Sequence, residues 1–268
     1  MADKGAASTT ASPATKQARP KMPQKQPAKD LGHEEFLKIF LMMLWVAVAV
    51  IASQLVVGYI MIWTLGEDTF VEPVWTTVYT AISYVLAVGL VFLVSRKKVG
   101  RRQLGLRGWP TWTDIGLAVV GFLAQLILAA ALTALFMIFP WFQEIADQSQ
   151  DVGFSVLNSG LDRVVAFIAL VVIAPIAEEI IFRGWLYGIM RRKLSEKVSN
   201  VAGMVISILL VSLLFGLVHM QWNVGVNVFA TSVVLCGLRE VTGTIYAGIL
   251  VHMLKNGVAF YLLYVAGV

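Results

Sequence analysis

Charge is what this chain has least of. Lys, Arg, Asp and Glu make up 14% of its 268 residues against 58% apolar, where a soluble domain is roughly a quarter charged and half apolar. That is too little to cover a water-facing surface, which excludes an ordinary cytosolic enzyme and a disordered protein. Cysteine is nearly absent too: Cys236 alone forms neither an internal disulfide nor a cysteine metal cluster. Glycine-rich phosphate loops are missing, and the HEE at His33 lacks the second histidine of an HExxH motif. The pI of about 9.3 points toward nucleic acid, yet the basic residues flank apolar runs and form no stripe on a soluble face. No nucleic-acid partner is expected. A mean hydropathy of +0.78 leaves a membrane protein, with lipid as its first partner.

Residues 1–32 are Ala, Pro, Lys, Gln, Ser and Thr with hardly a large apolar group, so a disordered tail is expected there. It does not read as a signal peptide, because the first apolar stretch, about 36–65, is far longer than a cleavable core. Six more stretches of bilayer-crossing character follow, at about 74–95, 114–139, 161–190, 201–220, 223–238 and 241–265. The sixth is short. The expectation is one all-α transmembrane bundle over residues 33–268 with about seven helices. Arg96, Lys97, Lys98, Arg101, Arg102 and Arg107 fill the second connection, and Arg191, Arg192, Lys193 and Lys197 crowd the fourth. Glu67, Asp68 and Glu72 mark the first, and Glu144, Asp147 and Asp151 the third. Basic loops stay in the cytoplasm, so a multi-pass cell-membrane protein is expected with its N-terminus inside and its C-terminus outside.

The exceptions to apolarity carry the chemistry. A charge at the bilayer centre costs about 2.5–3.5 kcal/mol on insertion scales and marks function or a partner. Glu178, Glu179 and Arg183 fall together in the fourth stretch, His219 and His252 lie inside later ones, and Asn256 follows His252 by one turn. Glu179 and Arg183 are four residues apart and share a helix face. Glu178 points about 100° away, which frees its carboxylate for a cavity and for general-base work. His252 and Asn256 share a face, the imidazole suited to a water or a metal and the amide to an oxyanion. Counted from a turn near Lys197 at about 1.5 Å per residue, Glu178 and His219 come within roughly 5 Å of one depth. Plainer readings stand beside these. Glu179 and Arg183 also read as a structural ion pair, His219 and Asn256 as helix–helix hydrogen bonders, and Gly184 with Gly188 as close packing. Pro175 kinks the fourth helix or frees a carbonyl near the site. Lys255 pairs with a glutamate or snorkels.

At these residues the chain resembles the CPBP family of intramembrane proteases, also called the Abi or type II CAAX prenyl endopeptidase family. Its EExxxR motif is similar to Glu178, Glu179 and Arg183, its FxxxH to Phe215 and His219, and its HxxxN to His252 and Asn256. The resemblance covers about 160–260, the expected catalytic core. It implies peptide-bond hydrolysis within the membrane on a hydrophobic or lipidated peptide. Glu178 and His219 would activate water, Asn256 and His252 would stabilise the oxyanion, and Glu179 and Arg183 would hold the arrangement. In a bacterium it implies bacteriocin processing or immunity. Metal use stays open, since two histidines and a glutamate make a catalytic zinc set and a Glu–His pair also activates water unaided. Two other classes remain: a non-catalytic immunity or peptide-binding protein, and a transporter or proton relay. Against the latter, no inverted repeat of broken helices is found.

Overall fold

The computed structural model describes Met1 and residues 32–94, 99–146, 154, 157 and 159–266. The expected tail over 1–32, apart from Met1 and Gly32, lies outside the described residues, as do the loop charges Arg96, Lys97, Lys98, Asp147 and Asp151.

Lipid offers the backbone no hydrogen-bond partners, so each crossing segment must satisfy its own amides as a helix. Among the described residues, seven helices are long and apolar enough to cross a membrane, and all regular structure is helical. They are α1 (His33–Leu65), α2 (Pro73–Leu93), α3 (Trp112–Phe136), α4 (Gly160–Ser195), α5 (Asn200–Leu217), α6 (Trp222–Thr242) and α7 (Tyr246–Ala266). The chain is a multi-pass, all-α membrane protein. Local chemistry sets the helix starts. Pro73 opens α2, where a missing N–H costs nothing. Reciprocal capping boxes, Thr111 with Asp114 and Ser159 with Asp162, open α3 and α4. Gly243, at φ 67°, stops α6 in the left-handed conformation.

Several boundaries differ from the sequence expectation: α4 runs on to Ser195 rather than 190, α7 begins at Tyr246 rather than 241, and α5 and α6 end elsewhere than expected. Helix α6 continues beyond residue 238 to Thr242 because its terminal charges find partners. Arg239 donates to the Gln103 carbonyl at 3.1 Å, and Glu240 accepts from Arg191 at 2.8 Å and from the Tyr187 hydroxyl at 2.7 Å. Helix α5 stops at Leu217 rather than 220, and Met220 takes a positive φ of 56°. His219 therefore sits in the link between α5 and α6, not within a helix.

The core gathers Ala49 and Val50 of α1, Ala87 and Val91 of α2, Phe182 of α4 and Phe215 of α5. The connection after α2 turns back against α4 and buries Leu104. A Cβ on Gly184 would lie 3.1 Å from the Leu104 carbonyl, and one on Gly188 3.3 Å from that of Gln103. The small-residue spacing thus packs a loop rather than a neighbouring helix.

Candidate active site

Helix α4 places the acidic pair by abandoning regular α geometry. Two stretches, Ile168–Ile173 and Glu179–Tyr187, are π-helical, a widening common at functional sites. The Ala174 N–H reaches back five residues to the Ala169 carbonyl. Pro175, next in that register, has no N–H for the carbonyl of Leu170. The Asn256 amide of α7 supplies the missing donor, with Nδ2 2.9 Å from that oxygen. The proline frees a carbonyl, and the asparagine uses it to clamp α7 onto α4.

Glu179 and Arg183 are both 0% exposed, and Arg183 Nη1 donates to Glu179 Oε1 at 2.8 Å. The guanidinium lies over the Phe215 ring, 4.3 Å from its centre, where the ring quadrupole attracts a cation. Phe215 also meets the rings of His219 at 4.8 Å and His252 at 5.9 Å, both edge-on. Close approach of α7 depends on Gly248, whose added Cβ would come within 3.0 Å of Glu179 Oε2. One turn later His252 Nδ1 stands 3.3 Å from Glu179 Oε1, while its Nε2 faces Glu178 Oε2 at 3.6 Å. The second distance exceeds a direct hydrogen bond, yet one water can touch both atoms. The other oxygen of Glu178 accepts a hydrogen bond from the Tyr84 hydroxyl of α2.

Tyr84, Glu178, Phe215 and His252 line one cavity of about 360 Å³ with Gln54, Gln221 and Lys255. His219 lines the same cavity. Its Nδ1 lies 2.7 Å from the Phe215 carbonyl, and because a carbonyl only accepts, Nδ1 is the donor of that bond and Nε2 takes no part in it. Glu178, His219, His252, Lys255 and Asn256 share the cavity, while Glu179 and Arg183 lie buried behind it. The imidazole nearest Glu178 belongs to His252. Tyr84 and Gln54 carry no sequence signal, being an ordinary aromatic and an ordinary amide in apolar helices. Phe215 had one only as the first letter of a weak motif.

Among the described residues, no three His, Cys, Asp or Glu side chains are grouped to hold a metal ion. As placed, these side chains do not gather into the three-ligand set of a catalytic zinc centre.

Residues 160–258 match the family model of the type II CAAX prenyl endopeptidase Rce1-like proteins. The stretch runs from the start of α4 nearly to the end of α7 and leaves Gln54 and Tyr84 outside it. No curated protein and no solved structure matches the chain.

Proposed function

We propose, on the premise of that family match, that the chain is an intramembrane endopeptidase acting on a hydrophobic or lipidated peptide. The observation that carries this is the pairing of Glu178 Oε2 with His252 Nε2, 3.6 Å apart on the wall of a polar cavity among apolar helices, where one water on the cavity side can touch both. A water held there gives its proton to Glu178 as its oxygen adds to the scissile carbonyl carbon. The carbonyl electron pair moves onto oxygen. When the C–N bond breaks, Glu178 returns the proton to the leaving nitrogen, and the products are a free acid and a free amine.

The supporting groups divide by position. Tyr84 occupies one oxygen of Glu178 and leaves the other for the water. Glu179, itself fixed by Arg183, orients His252. Asn256 commits one N–H to Leu170 and has a second for the oxyanion. Lys255 and the Nε2 of His219 complete the polar wall. An apolar groove of about 540 Å³, lined by Phe136, Trp141, Leu217 and Phe229, meets the cavity at Gln221. It offers room for an apolar chain attached to the peptide.

The test is cleavage of a quenched fluorescent hydrophobic peptide in proteoliposomes, by wild type and by Tyr84→Phe. The ring stays, so folding and KM are expected to hold, while loss of the hydrogen bond to Glu178 lowers kcat about tenfold, or about 1.4 kcal/mol. Equal kcat in the two proteins removes Tyr84 from the mechanism. A wild type that binds the peptide and never cuts it favours the binding-protein reading.

A further inference from the structure

The cavity is not symmetric along the bundle. Seven consecutive crossings with short connections put the ends of α2, α4 and α6 and the starts of α3, α5 and α7 at one end. That end carries Arg101, Arg102, Arg107, Arg191, Arg192, Lys193 and Lys197. The described connections at the opposite end, 66–72, 137–146 and 218–221, contain no Lys or Arg and hold Glu67, Asp68, Glu72 and Glu144. Short loops rich in Lys and Arg are retained in the cytoplasm, so the second end faces out.

The cavity's lining follows the same axis. It begins at Glu178, midway along α4, and runs to Val218, His219 and Gln221 of the α5–α6 link and to Leu263 and Tyr264 in the last turn of α7. Toward the basic end it is stopped by the fully buried Glu179–Arg183 pair and by Phe182, Leu186 and Met190, all at most 1% exposed.

We propose that the cavity opens to the extracytoplasmic side and takes its peptide from there. The substrate class is then a membrane-anchored or hydrophobic peptide whose cleavable bond lies at the outer leaflet. A prenylated tail offered from the cytoplasm meets the closed end instead. What happens to the peptide rests on the endopeptidase reading; the direction of opening rests on charge and topology alone.

Single cysteines test it in intact cells expressing the full chain, since the native Cys236 is buried. Glu72→Cys marks the acidic end, Arg102→Cys the basic end and Ala259→Cys the cavity wall. A small membrane-impermeant thiol reagent is expected to modify the first and third in intact cells, and Arg102→Cys only after lysis. Modification of Ala259→Cys only after lysis, or from neither side, overturns the proposal. Labelling reads no cleavage, so a chain that labels from outside and cuts nothing loses the peptidase reading while keeping the opening.

Discussion

Glu178→Gln is expected to lower kcat for peptide cleavage by about 10²–10⁴-fold, the usual contribution of a positioned general base. The amide keeps the shape of the carboxylate, and its carbonyl still accepts from Tyr84, so unfolding temperature and membrane insertion should match wild type. What it loses is the oxygen that takes the proton, 3.6 Å from His252 Nε2. Turnover in proteoliposomes, measured beside thermal unfolding in detergent, separates the two effects. If Glu178→Gln turns over at the wild-type rate, the assignment of the base is wrong.

The second large effect falls on stability. Arg183 and Glu179 are wholly buried and paired at 2.8 Å. Arg183→Met leaves the Glu179 carboxylate without its cation in a dry interior, and breaking a buried pair from one side costs about 3–5 kcal/mol. Glu179→Gln together with Arg183→Met removes both charges and should recover most of that loss, because the desolvation cost leaves with the pair. Activity should not recover alongside it, since His252 Nδ1 then loses the carboxylate that orients it. The unfolding midpoint and the cleavage rate, measured on both variants, decide the matter. A single Arg183→Met variant as stable as wild type would show that the pair is not what holds this part of α4.

The contrast between these two carboxylates was legible in the sequence. Spacing alone put Glu179 with Arg183 on one face and turned Glu178 elsewhere, and the π register of Glu179–Tyr187 kept that division. Apolar run length and loop charge were equally readable, because lipid permits few alternatives to a helix. The rest depends on partners distant in sequence. The Leu170 carbonyl waits on an amide 86 positions away, so Pro175 signalled a vacancy without naming what fills it. Tyr84 reaches Glu178 across 94 positions, and nothing distinguishes it locally from a lipid-facing aromatic. The ending of α5 before His219 turns on Met220 in a left-handed conformation, which no hydropathy pattern announces. The length of α6 was hidden for a related reason. Arg239 and Glu240 look like the end of an apolar run until Gln103 and Arg191 supply their partners.

The central claim is that water, activated between Glu178 and His252, cuts a peptide bond inside the bundle. Mass spectrometry of the products formed by the reconstituted chain in ¹⁸O-labelled water tests it most directly. The account predicts two fragments, a new amine and a new carboxylic acid carrying the label, formed by wild type and absent with Glu178→Gln. Intact, unlabelled peptide recovered bound to wild type, or the same labelled fragments from Glu178→Gln, would contradict it.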